Sequence, residues 1–268
     1  MKEIKAYYFK KIPGNFGDEL NNFILKELFD IKICHTDEFN CDLIGIGSIL
    51  GKILKPIDTE FINKPVHIWG SGFILPYASG RKKLIRPLIL HAIRGKLTEK
   101  ALNFYNISYT KKIYGDPGLL LSKIFNKTDS QQEYDYGIIP HYVDLTNTNL
   151  NKIKLKNFCI IDPTLPVKEV VIKILKCKKI LSSAMHGLIA ADAFNIPNMR
   201  LILSDNIIGG DHKYNDYYSA FEIDNHLKLD LRQDIEITDK NLKFNYSITE
   251  KAITNIQNQL IESFPFKC

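Results

Sequence analysis

The sequence predicts an α/β fold with parallel strands, and three observations support this prediction. Short apolar segments alternate along the chain with segments whose apolar residues recur at helical spacing. Several apolar segments end in glycine-containing polar motifs, as buried parallel strands do where they open into a ligand-binding loop. A polar, aperiodic stretch near residues 122–135 separates two such halves. The chain has 268 residues, which is long enough for two compact units.

In the first half, strands are predicted at residues 5–9, 43–46 and 66–69. Residues 19–28 carry apolar side chains at helical spacing, which predicts a helix with Asp18 as its N-cap. A second helix is predicted from Arg94 through Asn103. The polar segment 126–133 is the predicted linker.

In the second half, strands are predicted at residues 136–140, 158–161, 179–182 and 199–203, with helices between them. The last helix, about 248–264, has Ile253, Ile256, Leu260 and Ile261 on one face. We therefore expect a domain at 1–125, a domain at 126–246, and a helix at 247–268 that packs across their interface.

Composition limits the class of protein. No apolar run reaches the roughly 18 residues of a membrane span, and the N-terminus lacks a signal-peptide pattern, so we expect a cytoplasmic protein. The net charge of +6 is spread without the basic block of a nucleic-acid-binding arm, and it fits phosphorylated substrates or an anionic membrane surface. The five cysteines show no metal, redox or haem spacing, and no metal site is predicted.

Polar motifs follow the predicted strands and should converge, because ligands of open α/β sheets bind at the carboxyl ends of the strands. They are Asn15-Phe16-Gly17-Asp18, Gly45-Ile46-Gly47-Ser48, Gly70-Ser71-Gly72, Arg94-Gly95, Gly115-Asp116-Pro117-Gly118 and Ser182-Ser183-Ala184-Met185-His186-Gly187. The set indicates an enzyme that acts on an anionic ligand.

Each motif has a structural interpretation beside the functional one. Asp18 either caps a helix or serves as a general base. The glycine motifs at 45–47, 70–72 and 115–118 are typical of tight turns. Arg94 stands at a helix start, where the helix dipole disfavours a cation unless an anion lies opposite, and this favours a bound phosphate or carboxylate. His186 and His141 both follow strand ends, where each is either a hydrogen-bonded structural group or a catalyst.

Taken in order, the motifs resemble the polysaccharide pyruvyl transferase family. They are N-F-G-D-E-L-N from Asn15, G-S-G-F from Gly70, R-G-K-L-T from Arg94, G-D-P-G from Gly115, I-P-H ending at His141, S-S-A-M-H-G-L-I-A-A-D-A-F-N-I-P from Ser182 and K-Y-N-D-Y-Y from Lys213. The resemblance spans residues 15–218. Within the family, this chain is most similar to the exopolysaccharide branch, which attaches pyruvate ketals to succinoglycan-type polymers. Many members carry arginine where this chain has Ala184, so a phosphate contact made by that guanidinium must come from elsewhere or be absent.

The resemblance implies two Rossmann-like domains that face each other across a cleft, similar to B-type glycosyltransferases, with the acceptor on the N-terminal side and the donor on the C-terminal side. It implies transfer of the pyruvyl group of phosphoenolpyruvate to two hydroxyls of one sugar in a bacterial surface polysaccharide or its precursor, with release of phosphate. Phosphoenolpyruvate is the donor substrate, and no cofactor is implied. The sequence leaves open whether the acceptor is lipid- or nucleotide-linked and whether the enzyme works at the inner membrane surface.

The resemblance carries over three catalytic positions, Asp18, Arg94 and His186. Substrate contacts are expected from Asn15, Gly17, Gly70, Ser71, Gly72, Asp116, His141, Ser182, Ser183, Gly187 and Lys213. The reaction needs an acid that protonates C3 of phosphoenolpyruvate and a base for the attacking hydroxyl. Arg94 suits the donor's carboxylate or phosphate, His186 suits the acid or a phosphate contact, and Asp18 suits the hydroxyl proton.

Two other functions are considered. A glycosyltransferase of the same build would place a carboxylate against the ribose of a nucleotide sugar, and Asp192 or Asp205 are the candidates for it. A binding module for anionic glycans is favoured if Asp18 and His186 are only a cap and a core group.

Overall fold

Two parallel β-sheets, each of five strands, form the framework of the molecule. The computed structural model describes residues 2–10, 14–76, 82–127 and 131–267, so residues 128–130 of the predicted linker and Cys268 lie outside the described residues. We call the residues up to 127 the first half and those from 131 the second half. Each half contributes one sheet, and the fold is mixed α/β with parallel sheets, as the alternation of elements predicts.

The strands of the first half are β1 (Lys2–Tyr7), β2 (Ile31–His35), β3 (Leu43–Ile44), β4 (Leu54–Pro56), β5 (Val66–Trp69), β6 (Lys82–Leu84) and β7 (Leu88–Ala92). Five of them form a sheet in the order β2-β1-β3-β5-β7, and β4 pairs with β6 in a separate antiparallel sheet. The predicted strand at 66–69 is confirmed, and β1 lies nearer the N-terminus than predicted. The edge strands β2 and β7 are not predicted. β2 has no apolar run and buries only Ile31, whereas β7 begins with the apolar run Leu88-Ile89-Leu90, a signal that could have predicted it.

The strands of the second half are β8 (Tyr134–Ile139), β9 (Phe158–Ile160), β10 (Cys177–Ser182), β11 (Asn198–Ile202) and β12 (Lys228–Asp230). Their order in the sheet is β12-β11-β10-β8-β9, and all pairs are parallel. The first four confirm the predicted strands to within about two residues. The central strand β10 pairs along its length with β8, so the loops after these two strands emerge side by side.

Six α-helices lie among the described residues: α1 (Phe16–Phe29), α2 (Lys96–Phe104), α3 (Val167–Leu175), α4 (Met185–Ala193), α5 (His212–Ser219) and α6 (Glu250–Ser263). Short 3-10 helices cover Leu50–Ile53, Pro117–Lys123, Tyr142–Asp144 and Thr148–Lys152. None of the helices in the described ranges has the length and apolar character needed to cross a bilayer.

Helix α1 begins earlier than the sequence predicts. Asn15 has an extended backbone, and its carbonyl accepts the N–H groups of Asp18 and Glu19, which makes Asn15 the N-cap. Asp18 is the third residue of the helix, so the prediction that it is the cap is wrong. The reason is Phe16, which is buried on the same apolar face as Leu20 and extends the helix toward its N-terminus.

The largest hydrophobic core contains residues of both halves. Helix α4 is buried along nearly its whole length, as expected for a helix that is apolar all round. From α6, Ile253, Ile256 and Leu260 enter this core, while Ile261 is half-buried. The α6 backbone also accepts a hydrogen bond of 2.9 Å from Trp69 Nε1 at the carbonyl of Leu260, so this helix packs on the first half.

Asp192 of α4 is a fully buried carboxylate inside this core. Its Oδ1 accepts hydrogen bonds from Asn198 Nδ2 (2.6 Å) and the Tyr246 hydroxyl (2.9 Å), and its Oδ2 accepts one from the Tyr217 hydroxyl (2.8 Å). Burial raises the pKa of Asp192 to about 6, against the lowering effect of these three donors. The native state therefore holds this proton more tightly than the unfolded chain does.

We expect Asp192→Asn to remove one pH-dependent contribution to stability. A carboxyl whose folded pKa is raised stabilises the native state below its unfolded pKa and loses that contribution as the pH rises through the folded pKa. Between pH 4 and 7, the stability of wild type relative to Asp192→Asn should fall by up to roughly 3 kcal/mol. Urea unfolding of both proteins across this range measures the difference, and a constant offset would contradict the raised pKa.

Candidate functional site

A cavity of about 520 Å³ lies where loops from the two sheets meet. Its walls come from loops that follow β1, β3, β5, β8, β9, β10 and β11, together with the 3-10 segment 50–53, the ends of β4 and β6, and one residue of α5. The lining residues are Phe9, Asn15, Phe16, Gly17, Asp18, Gly47, Ser48, Ile49, Gly51, Lys52, Leu54, Phe73, Ile74, Leu75, Lys82, His141, Tyr142, Val143, Pro163, Ala184, Met185, His186, Asn206, Ile208 and Lys213. The convergence of strand-end loops that the sequence predicts is therefore present.

The N-termini of α1 and α4 both point into this cavity. Gly17 is the second residue of α1, and Met185 and His186 are the first two residues of α4. Among the described residues, no acceptor takes the backbone N–H groups of these three positions. Free N–H groups at a helix start attract anions, because they add to the positive end of the helix dipole.

Asp18 lies at the cavity wall with its carboxylate held by a neighbour. The Asn15 side-chain amide donates a hydrogen bond of 2.9 Å to Asp18 Oδ2. Burial raises the pKa of Asp18, although the Asn15 hydrogen bond, a protonated His186 and the charge of Lys213 act in the opposite direction. A carboxyl in this setting binds a proton more readily than an exposed one, which suits it to proton transfer.

His186 stands between a carboxylate and a glycine. Its Nε2 lies 3.5 Å from Asp116 Oδ2, and neither atom has a hydrogen-bond partner although both are buried. On the other side of the ring, a Cβ on Gly17 would lie 2.1 Å from His186 Nδ1. Any side chain at position 17 would displace the imidazole, so this glycine is required for close approach rather than for a turn.

Lys213, the second residue of α5, is a buried cation without an ion pair. Its side chain lines the cavity and the residue is 7% exposed. Of the carboxylates in the described ranges, none lies within ion-pair distance of its ammonium group. Burial, together with the positive charges of Arg94 and Arg200, lowers the pKa of Lys213 to about 7, and Asp18 partly offsets this. An anion in the cavity would supply the missing partner.

Arg94 lies behind the cavity wall and not in it. The guanidinium is fully buried, and its Nε donates to Asp216 Oδ2 at 2.8 Å. Its other two nitrogens donate to the Ser48 hydroxyl and the Phe73 carbonyl. The anion opposite this helix start is thus Asp216 of the same chain, and the expectation that Arg94 contacts the ligand directly is not met. Its hydrogen-bond partner Ser48 does line the cavity.

The other predicted site residues divide in the same way. At the cavity lie Asn15, Gly17, Asp18, His141, His186 and Lys213. Behind its wall lie Gly70, Ser71, Gly72, Arg94, Asp116, Ser182, Ser183 and Gly187. Their hydrogen bonds hold the loops: the Ser71 hydroxyl donates to the Gly47 carbonyl, and the Ser183 hydroxyl accepts the His141 N–H at 2.8 Å. These residues shape the site without facing it.

Asn21 is a site-forming residue that sequence reasoning missed. Its side chain is buried, accepts the Ile46 N–H at 2.8 Å and donates to the Ile46 carbonyl at 3.0 Å, which clasps the loop after β3 against α1. It also donates to the Asp18 carbonyl. The available signal was an asparagine on the apolar face of a predicted helix, because a buried amide needs partners.

The two carboxylates considered for a nucleotide-sugar enzyme lie away from the cavity. Asp192 is enclosed by its three donors. Asp205 is largely exposed and pairs with Arg232. Neither lines the cavity. Within the described part of the chain, no group of three or more His, Cys, Asp or Glu side chains has the arrangement of a metal site.

Comparison with known proteins gives a consistent result. A family model described as polysaccharide pyruvyl transferase matches residues 3–205. An uncharacterized protein of Acanthamoeba polyphaga mimivirus, L143, is 32% identical over 234 residues, which cover 83% of this chain and 76% of that protein. The succinoglycan biosynthesis protein ExoV of Rhizobium meliloti is 28% identical over 223 residues, which cover 80% of this chain and 64% of that protein.

We expect Gly17→Ala to destabilise the protein through His186. Alanine is normally neutral or favourable in a helix, but here the added methyl group overlaps the imidazole and should cost about 1–3 kcal/mol. The cost should disappear in a His186→Ala background, which a double-mutant cycle of unfolding free energies measures. Gly51→Ala is the matched control, since its Cβ would meet only Phe73 at 3.7 Å. An equal cost in both backgrounds would contradict the contact.

Proposed function

Because this chain belongs to the polysaccharide pyruvyl transferase family, we propose that it transfers the pyruvyl group of phosphoenolpyruvate to two hydroxyls of one sugar, forming a ketal. The relative named as a succinoglycan biosynthesis protein favours an exopolysaccharide, or its precursor, as the acceptor. We further propose that the two sheets belong to two Rossmann-like units related to those of B-type glycosyltransferases.

The observation that carries the proposal of an anionic donor is the unpaired Lys213 beside two helix N-termini. Phosphoenolpyruvate brings a phosphate and a carboxylate, and the site offers an ammonium group and free N–H groups at Gly17, Met185 and His186. Many family members carry an arginine at the position where this chain has Ala184. Lys213 of α5 lines the same cavity and supplies a cation there.

The reaction adds one proton to phosphoenolpyruvate and removes one proton from each of two sugar hydroxyls. The CH₂ group at C3 of phosphoenolpyruvate becomes the methyl group of the ketal, so an acid must protonate C3 and leave C2 electrophilic. Two sugar hydroxyls add to C2 in turn, the phosphate leaves between the two additions, and each hydroxyl gives up a proton. One of these protons replaces the one used at C3, and the other leaves with the phosphate as hydrogen phosphate.

Asp18 and His186 are the groups we assign to these proton transfers. Both line the cavity and lie close enough that the charge of His186 affects the pKa of Asp18. The raised pKa of Asp18 reverses the division of roles expected from the sequence: this carboxyl is suited to donate a proton to C3, and the His186 imidazole can accept one from a hydroxyl. The aromatic rings of Phe9, Phe73 and Tyr142 in the same cavity offer faces for the acceptor sugar.

We expect phosphoenolpyruvate to stabilise the protein against heat. A ligand at about a hundredfold excess over its Kd should raise the melting temperature by about 5 °C, because it binds the folded state only. A UDP-sugar at equal concentration should do less. Release of phosphate from phosphoenolpyruvate in the presence of surface-glycan precursors then tests turnover. Stabilisation by the nucleotide sugar alone would overturn the donor assignment.

We expect Lys213→Met to abolish donor binding without destabilising the fold. The variant removes a buried charge that has no ion pair, so its melting temperature at pH 7 should equal or exceed that of wild type. Phosphoenolpyruvate should no longer raise that temperature. Lys100→Met, on the exposed surface of α2, is the control that should keep the response. A full response in Lys213→Met would contradict the role of this cation.

Donor affinity should also fall with rising pH. The anion needs the charged ammonium group, whose pKa in the empty site is about 7, whereas a phosphate is already a dianion above about pH 6. In wild type the Kd should therefore weaken roughly tenfold between pH 7 and 8 or slightly above. Calorimetric titration at several pH values measures the Kd. If the Kd does not change across this range, the protonation of Lys213 is not linked to donor binding.

A further inference from the structure

Asp116 and His186 face each other as two unsatisfied buried groups. Asp116 Oδ2 and His186 Nε2 are among the few buried polar side-chain atoms in the described residues that have no hydrogen-bond partner. They lie 3.5 Å apart, slightly beyond hydrogen-bond length. Leaving both unpaired would cost free energy, so a small movement that joins them is favourable. Catalytic hydrogen bonds are often this long before the substrate binds.

The neighbouring residues hold Asp116 Oδ2 and the His186 ring so that they face each other. Asp116 caps the 3-10 helix Pro117–Lys123, because its Oδ1 accepts the Gly118 N–H at 2.9 Å, which leaves Oδ2 directed at the histidine. Gly17 lies against the opposite side of the imidazole. The ring is thus confined between Asp116 and α1, with 12% of its side chain exposed. Nδ1 is the ring atom nearest to Gly17, and unlike Nε2 it does not belong to the fully buried unpaired atoms of the described residues, so it keeps access to the cavity that His186 lines.

We propose that Asp116 is a positioning residue that accepts the Nε2–H of His186 and so presents Nδ1 to the substrate as the nitrogen that moves the proton. The proposal rests on the proposed pyruvyl transfer and deepens it. A neutral imidazole has one N–H, and a carboxylate beside Nε2 fixes it there, which leaves the lone pair on Nδ1. When Nδ1 takes a proton, the same carboxylate stabilises the imidazolium.

The assignment completes the proton transfers of the reaction. When the first hydroxyl oxygen bonds to C2, its proton moves to Nδ1 of His186. When the bond from C2 to the phosphate oxygen breaks, the same proton moves from Nδ1 to the leaving phosphate, and His186 is neutral again. The proton of the second hydroxyl replaces the one that Asp18 gave to C3, so both residues end the cycle as they began it.

Asp116→Asn tests the tautomer directly. Asparagine keeps an oxygen for the Gly118 N–H, but its amide donates to Nε2 and forces the proton onto Nδ1. Nitrogen-15 NMR of the histidine-labelled protein, with the His186 signals assigned from their loss in His186→Gln, should show Nε2–H in wild type and Nδ1–H in Asp116→Asn. An Nδ1–H tautomer in wild type, or no change in the variant, overturns the proposal.

Kinetics separates positioning from a merely structural effect. Asp116→Asn should lower kcat by at least about 100-fold and leave KM for phosphoenolpyruvate within about threefold, because the cation that holds the donor is untouched. The pH profile of kcat should also change, and the other titratable groups that line the cavity are Asp18, Lys52, Lys82, His141, Tyr142 and Lys213. Asp192→Asn, a buried carboxylate outside the cavity, should leave kcat unchanged.

The two readouts also separate this inference from the proposed function. The tautomer is measured without substrate, so an Nε2–H signal that depends on Asp116 supports the pair even if wild type released no phosphate from phosphoenolpyruvate. A lack of phosphate release would refute the proposed pyruvyl transfer but not the Asp116–His186 pair. If wild type is active and Asp116→Asn keeps kcat within threefold, the pair has no role in the reaction and the inference is wrong.

Discussion

The buried ion pair between Arg94 and Asp216 is the constraint on which the rest of the site depends. Both side chains are fully buried, and the carboxylate also accepts the Thr98 N–H and hydroxyl at 2.7 Å each. Arg94 belongs to the first half and Asp216 to the second, so this pair fixes α5 against the start of α2. A buried pair of this kind adds little stability compared with apolar side chains, but loss of one partner costs about 3–5 kcal/mol. Its main effect is therefore on geometry.

The geometry that it fixes is that of the cavity. Lys213 stands one helical turn before Asp216 on α5, so the ion pair sets where the ammonium group enters the site. The remaining Arg94 nitrogens hold the loops that carry Ser48 and Phe73. Two glycines make the arrangement possible. A Cβ on Gly72 would lie 2.5 Å from the Arg94 guanidinium carbon, and one on Gly95 would lie 1.7 Å from the Asp216 carbonyl oxygen.

The sequence predicts the strands and helices better than it predicts the contacts between distant residues. β5 and the strands β8 to β11 are apolar segments with polar or glycine ends, and periodicity is sufficient to find them. The edge strand β2 lacks that pattern because most of it is exposed, whereas β7 carries an apolar run and is only partly buried, so its run alone does not identify it as a strand. The glycine motifs include the positive φ angles typical of turns at Gly47, Gly70 and Gly115, and Gly70 and Gly115 are also points of close approach to residues far away in the chain, which the sequence does not show.

For the site, the sequence identifies the loops and leaves the roles open. Asp18, His186 and Lys213 reach the cavity as expected because they follow strand ends or belong to a motif. The role of Arg94 could not be derived, because the helix-dipole argument requires an anion without saying that it comes from residue 216. In the same way, the spacing of Gly115-Asp116-Pro117-Gly118 describes a turn, and only the fold shows that one carboxylate oxygen faces His186.

The charged groups of the site come from both halves, so neither half forms the site alone. The first half supplies the carboxylates Asp18 and Asp116 and two exposed lysines, Lys52 and Lys82, and the second half supplies the less exposed nitrogen groups His186 and Lys213. Asp116 and Lys213 are buried and Asp18 and His186 are partly buried, and each has an incomplete set of partners, which costs stability in the empty protein. Such a cost persists in a fold when a ligand or a reaction uses it. Under the proposed function, an anionic donor bound between the halves would satisfy the cations and the acceptor hydroxyls would satisfy the groups that exchange protons, so substrate binding would complete a polar network that is incomplete in the protein alone.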